Sequence, residues 1–290
     1  MILVVGSSGK LGSAIVWSLR REGIAVRALV RPTPNASVLQ GAGAEVVTGD
    51  LRDIESLRKA CWGCRAVVTT ASSLRRGFDL ERIDRNGNLN LIEAATRERV
   101  GHFVFTSTIG ADDPDGPRVF KNKKFVEDRL ALSGLRHTIL RPSGFMENLI
   151  PLIRSARRIG WAVIPGRGTT KTSYIAVRDV AEMACRVLTK PPLNHSVIEF
   201  GGEDLSLLDC VVVMQEMLGR RIRVFHLPLG ALRFAGRALR PFNRAPEALL
   251  EIVEYVELKG MRADRSFLGE HPISLTSFRY FLREQLREPA

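Results

Sequence analysis

Residues 1–31 read MILVVGSSGKLGSAIVWSLRREGIAVRALVR, and this stretch decides the fold. Ile2-Leu3-Val4-Val5 is a short apolar run that breaks directly into Gly6-Ser7-Ser8-Gly9-Lys10-Leu11-Gly12. Leu11, Ile15 and Leu19 recur at helical spacing, which predicts a helix closed by Gly23; Ala25 to Val30 predicts a second strand ending at Arg31. The order is strand, glycine turn, helix, strand. Glycines let such a turn bend sharply and approach a pyrophosphate, while the helix start presents N–H groups and the positive end of its dipole. The G-x-x-G-x-x-G spacing alone would say little. Lying after a strand and opening a helix, Gly6, Gly9 and Gly12 point to dinucleotide binding.

Arg31 bears on which dinucleotide. An acidic residue about 20 positions past the glycines suits the ribose hydroxyl of NAD, whereas an arginine accommodates the 2′-phosphate of NADP. The second strand ends Val30-Arg31-Pro32-Thr33 with no carboxylate. A planar, permanently charged guanidinium matches a phosphate, so the residue favours NADP(H); the alternative is a solvated surface arginine.

A chain of 290 residues can bury a large core, as one domain or a domain with a smaller lobe. Its net charge of +12 would suit an anionic partner, such as nucleic acid, a membrane surface or an acidic protein. The basic residues are scattered as pairs (Arg20-Arg21, Arg75-Arg76, Lys123-Lys124, Arg157-Arg158, Arg220-Arg221) rather than gathered with aromatics, which argues against nucleic acid. No apolar run approaches the roughly 20 residues of a membrane span. With the first strand entered at Ile2 and no signal-peptide pattern, a cytoplasmic protein is expected. Cys61-Trp62-Gly63-Cys64 has the spacing of a redox pair or half a zinc site, but Cys185 and Cys210 stand alone and no histidine pair completes a metal site. The pair is expected to pack where a helix hands over to a strand, and no metal is expected.

The alternation continues. A polar segment from Pro32 to Ser37 leads to a short helix ending at Gly41, and Glu45-Val46-Val47 runs into Thr48-Gly49-Asp50-Leu51. Asp53 is placed to cap the next helix. Arg65 to Ala71 is a fourth strand, nearly continuous in apolar residues as buried parallel strands are. It stops at Ala71-Ser72, and a basic, glycine-containing loop is expected to reach Asp84. A helix from about Asn88 to Arg99 follows, then a strand from His102 to Ser107, an irregular Gly110 to Arg118, a helix from Phe120 to Leu132 and a sixth strand from Arg136 into Arg141-Pro142.

This pattern predicts an α/β, doubly wound parallel sheet of the Rossmann type. Ligands gather at the carboxyl ends of such strands: here the Gly6 turn, Arg31, Asp50, Ala71-Ser72, Ser107 and Pro142-Ser143, expected to outline one crevice. Beyond, a helix from Phe145 to Ile159, a turn at Pro165 to Gly168, an N-cap at Asp179, a strand from Ser196 to Phe200, a helix from Leu205 to Leu218 and a short strand at Arg223-Val224-Phe225 are expected. Helical patterns broken by Pro241, Pro246 and Pro272 complete the chain. The expected organisation is a dinucleotide-binding core over residues 1–150 and a smaller, mostly helical lobe over 151–290, interleaved with the core.

A nicotinamide site implies hydride transfer, which needs a proton donor and something to polarise the substrate. Short-chain dehydrogenases use a serine with a tyrosine and a lysine four residues apart, one helical turn, on the helix after the fifth strand. Here Lys123 has Val119 at that position, and Tyr174, Tyr255 and Tyr280 all lie elsewhere. Ser107 and Lys123 remain the candidates to orient substrate and nicotinamide ribose, against the alternative that Lys121, Lys123 and Lys124 form a solvated basic face.

Several segments resemble the NmrA-like branch of the atypical short-chain dehydrogenases: the glycine turn, Arg31, Gly49-Asp50-Leu51, Lys123-x-x-x-Glu127, Ser133-Gly134-Leu135, Leu140-Arg141-Pro142-x-x-Phe145-x-Glu147-Asn148, and Tyr174-Ile175-x-Val177-x-Asp179-Val180-Ala181. The match weakens after about Pro228. It is similar in particular to cyanobacterial and plastid members associated with photosystem assembly, and more loosely to quinone, isoflavone and triphenylmethane reductases. The resemblance implies NADP binding at Gly6, Ser8, Gly9, Lys10, Leu11 and Arg31, adenine contact at Asp50 and Leu51, and Lys123 near the nicotinamide. Ala71, Ser72, Pro142 and Phe145 complete the candidate cofactor set. Two readings follow: a reductase of a small carbonyl, quinone or imine, and a non-catalytic NADP(H)-binding sensor or assembly protein whose basic surface docks an acidic partner. A sugar-nucleotide epimerase, the third class with this sheet, would need the missing tyrosine.

Overall fold

A computed structural model of the chain describes residues 1–31, 36–74, 79–190, 196–239, 245–264 and 272–287. The Pro32–Asn35 part of the polar segment, Arg75-Arg76 and Pro241 lie outside the described residues. The chain forms two compact units. The first comprises residues 1–114, 119–141 and 177–198; the second comprises 115–118, 142–176 and 199–290. The boundary expected near residue 150 therefore falls at 141/142, and residues 177–198 return to the first unit.

The first unit is built on β1 (Ile2–Val5), α1 (Lys10–Arg21), β2 (Val26–Val30), α2 (Ala36–Gly41), β3 (Glu45–Thr48), α3 (Ile54–Cys61), β4 (Ala66–Thr69), α4 (Asn88–Arg97), β5 (His102–Thr106), α5 (Arg118–Ala131) and β6 (His137–Pro142). Strands β3-β2-β1-β4-β5-β6 lie side by side in that order, paired in parallel, with β9 (Ser196–Phe200) beyond β6. This is the expected doubly wound sheet, whose strand order reverses between β1 and β4.

Burial follows from the alternation. β1, β4, β5 and β6 are buried at every residue, because helices cover both faces and the strands must be apolar throughout. Leu3, Val5, Val67, Phe103 and Phe105 meet Leu57, Leu91, Val126 and Leu130 in one core. Helix α1 packs instead against α7 (Val177–Thr189). Asp53 caps α3 as expected, accepting from the Glu55 N–H at 3.0 Å.

One buried ion pair sits in this unit. Arg141, ending in β6, donates to Glu127 of α5 at 3.0 and 2.6 Å, with both side chains almost wholly buried. The guanidinium also reaches Asp112 at 2.9 Å and holds that carboxyl below its usual range, chiefly through the hydrogen bond.

Several expectations are corrected. Residues 80–87 are a π-helical turn running into α4 rather than loop, capped by Asp79, whose side chain accepts from the Arg82 N–H. Asp179 lies buried inside the first turn of α7 instead of capping it. The helix expected from Phe145 starts later: Phe145 is extended, 146–149 is a 3₁₀ turn, and α6 (Ile150–Ile159) begins around Pro151, which tolerates only a first-turn position.

The second unit holds α6, β7 (Trp161–Pro165), β8 (Thr172–Tyr174), β10 (Glu203–Leu205), α8 (Leu207–Leu218), β11 (Arg223–Leu227), α9 (Leu229–Leu239), α10 (Ala245–Lys259) and α11 (Phe278–Arg287). β7 pairs with β11 in parallel and β8 with β10 antiparallel. Neither β7 nor β10 is legible in the sequence, since each is short and joined to a glycine turn. Pro246 opens α10 rather than breaking a helix. Met146, Ile153, Ile164, Tyr174, Met214 and Phe278 belong to this unit's core.

Candidate functional site

The glycine turn follows β1, and its geometry demands glycine. Gly6 has φ +79, and a Cβ there would stand 2.7 Å from Thr70 Oγ1. A Cβ on Gly12 would lie 2.2 Å from the Gly6 carbonyl oxygen, an impossible approach. The Gly9 N–H donates to Gly6 O at 2.9 Å and closes the turn. Buried Ser7, a residue the sequence reading passes over, donates from Oγ to Leu29 O at 2.7 Å and ties the turn to β2. No side chain caps α1, and its first turn carries no acid. Its opening N–H groups and positive dipole end are thus presented to an anion beside half-buried Ser8 and exposed Lys10. Leu11 and Gly12 are buried beneath.

At the end of β2, Arg31 is exposed. One strand over, the Asp50 carboxylate accepts from the Arg52 N–H at 2.9 Å and from its guanidinium at 3.0 and 2.6 Å. This pairing holds the Asp50 carboxyl below the usual range, with a smaller contribution from the Arg31 charge. Leu51 is half-buried and packs on the core; a Cβ on Gly87 would press on it at 2.8 Å.

Past β4, Ala71 is half-buried and Ser72 exposed. Here the π-helical turn matters. It delivers Asp84, which is 2% exposed, under the strand end. The Asp84 carboxylate accepts from Ser72 Oγ at 2.7 Å, Ser73 N at 2.9 Å and Ser73 Oγ at 2.5 Å. Asn88 donates to the Asp84 carbonyl at 2.8 Å and accepts from Thr69 Oγ1 at 2.9 Å. Sequence reasoning missed Asp84 and Asn88; the available signal was two carbonyl-bearing side chains one turn apart before an apolar run.

At the end of β5, Ser107 is buried and its Oγ has no hydrogen-bond partner among the described residues. An orphaned buried hydroxyl at a strand's carboxyl end is a group awaiting a ligand. Half-buried Lys123 of α5 turns inward: Nζ donates to the Thr106 carbonyl at 2.8 Å and stands 5.3 Å from the Phe105 ring centroid. Burial lowers its pKa, opposed by the Asp84 and Glu127 carboxylates. The solvated-face alternative describes its neighbours instead, as Lys121 is exposed and Lys124 pairs with Asp128. Val119, where the standard proton donor would stand, is buried.

Pro142 and Phe145 lie in the second unit, Pro142 buried and Phe145 bridged to Ile175. Tyr174 is in that unit's core, its pKa raised by burial. The Cys61 and Cys64 thiols are free and buried, and desolvation pushes Cys61 up to about 12. No cluster of metal-binding side chains occurs among the described residues.

The residues of the first unit fit a dinucleotide: a turn that only glycine can make, an uncapped helix start, and an orphaned hydroxyl further along the same row of strand ends. The comparisons agree. Residues 6–191 match the family model described as NAD(P)H-binding, over more than half of the chain, and the protein belongs to that family. It is 31% identical to the NAD(P)H azoreductase of Xenophilus azovorans over 79% of this chain and 78% of that one. It is 30% identical to the photosystem II assembly factor Ycf39 of Cyanophora paradoxa over 81% of this chain and 74% of that one. In fold it is similar to the NADPH-dependent quinone oxidoreductase of Escherichia coli complexed with NADPH, with a TM-score of 0.83 at 22% identity, covering 99% of this chain and 100% of that one.

Proposed function

We propose that the protein is an NmrA-like, NADP(H)-dependent reductase acting on a small carbonyl, quinone or imine. The observation that carries the reading is that Lys123 is held inward on the Thr106 carbonyl at the end of β5, where the next residue, Ser107, has an unsatisfied buried hydroxyl. The glycine turn, with Ser8, Lys10 and Leu11, would hold the pyrophosphate, Arg31 the 2′-phosphate, Asp50 and Leu51 the adenosine end, and Ala71 and Ser72 the remainder. When bound, the cofactor supplies the hydride. Ser107 would donate a hydrogen bond to the substrate oxygen or nitrogen where negative charge develops. Lys123 would orient the ribose, and its depressed pKa suits an amine that shares its proton with that oxygen. Relatives named as an azoreductase and a quinone oxidoreductase support this chemistry.

The second reading is a non-catalytic NADP(H)-binding assembly or sensor protein. Buried Val119 in place of a tyrosine favours it, as does the relative named as an assembly factor. A panel of quinones, azo compounds and carbonyls, followed by NADPH oxidation, separates the two. The reductase reading expects turnover with at least one class and a loss of about 100-fold or more in kcat/KM for Lys123→Ala, the scale of one positioned proton-handling group. Absence of turnover across the panel, with NADPH still bound, would leave the second reading standing.

A further inference from the structure

The arginine pairs that look scattered in the sequence are not all scattered in the fold. Arg157-Arg158 ends α6 and Arg220-Arg221 precedes β11. The Arg223 N–H donates to Gly160 O at 2.9 Å, and the Arg220 guanidinium donates to Ala156 O at 2.7 Å and to Arg157 O. The segments 157–163 (Arg-Arg-Ile-Gly-Trp-Ala-Val) and 219–225 (Gly-Arg-Arg-Ile-Arg-Val-Phe) therefore run side by side, with five arginines and no carboxylate between them.

Apolar side chains share this edge. The parallel register pairs Trp161 with Arg223 and Val163 with Phe225, so these four project from one face of the two-stranded sheet. Ala162 and Ile164 point the other way, into the core. On the outward face Trp161 is 38% exposed, Val163 50% and Phe225 51%, and Ile159 beside them is 67% exposed. Arg223 lies 5.5 Å from the Trp161 ring centroid.

We propose that this face is a docking surface for an anionic lipid membrane, on which the protein lies peripherally. Charge complementarity is the first argument. Arginines that fringe exposed Trp and aliphatic groups suit a headgroup layer, where the guanidinium takes phosphate and the ring and branched chains enter the acyl boundary. Area is the second. Two strands of five residues span about 16 Å, and with their side chains present on the order of 200 Å². Even with both arginine turns added, this falls well short of the roughly 800 Å² that each partner of a stable protein complex contributes. A membrane needs no such area, because several small contacts with charge and apolar groups add up.

The test is flotation of the full-length protein with vesicles of phosphatidylcholine alone and of phosphatidylcholine with 30% phosphatidylglycerol, a composition about as anionic as a charged leaflet. Binding to the anionic vesicles only, weakening as salt is raised, is the expected result. Arg158→Gln with Arg221→Gln, both exposed, should lower the partition coefficient about 30-fold, and Trp161→Ala should lower it without changing its salt dependence. The far-ultraviolet circular dichroism and melting temperature of each variant report that the fold is intact. Equal binding to neutral vesicles would overturn the proposal, as would unchanged binding by the variants. So would capture of soluble poly-glutamate or duplex DNA through the same arginines with no vesicle binding, which would make the face a site for a polyanion instead.

Discussion

Arg31 is the residue on which the choice of cofactor turns in the proposed function. It is exposed at the end of β2, while Asp50, whose carboxyl its charge helps to hold below the usual range, is engaged by Arg52. Substituting Arg31→Ala would remove the proposed charge-assisted contact to phosphate, of about 2 kcal/mol, so NADPH should bind roughly 30-fold more weakly while NADH changes little. Calorimetric titration with both nucleotides measures this, and no loss for either would assign Arg31 to the surface. The glycines were readable because each is required where it stands in the chain. Asp84 was not, because its importance comes from Ser72 and Ser73, brought to it by a π-helical turn that the apolar pattern does not encode.

At the scale of elements, strands β5 and β6 bury a titratable contact. His102 Nε2 faces Thr138 Oγ1 across the pair at 3.0 Å. Desolvation, with lesser contributions from Arg136 and His137, depresses the His102 pKa from 6.5 to about 4. The unfolded chain therefore binds a proton between those values that the folded chain refuses, and stability falls as pH drops through that window. The loss is about 3 kcal/mol at most. Denaturant unfolding at pH 7, 6 and 5 should show a falling midpoint, with His102→Gln flattening the slope. The long elements were legible because their apolar repeats are forced by burial on both sheet faces or on one helix face. β7 and β10 were not, since short strands pair through the backbone and carry little pattern of their own.

For the whole molecule, cofactor binding and folding are linked. A ligand at a hundred times its Kd adds about 2.7 kcal/mol, so saturating NADPH should raise the melting temperature by about 4–5 °C. Gly12→Ala should abolish that rise, because its methyl group has no room beside Gly6 O. A thermal shift assay reads both, and an unchanged rise in the variant would remove the glycine turn from the binding site. No helix among the described residues is long and apolar enough to cross a membrane. The sequence by itself determined the doubly wound sheet, the glycine turn and the candidate positions at the strand ends, because local periodicity and turn chemistry are written in neighbouring residues. Only the tertiary structure decided which lysine of α5 turns inward, which carboxylate lies beneath Ser72, and which arginine pairs meet. Those depend on packing between segments far apart in the chain, and no local pattern records it.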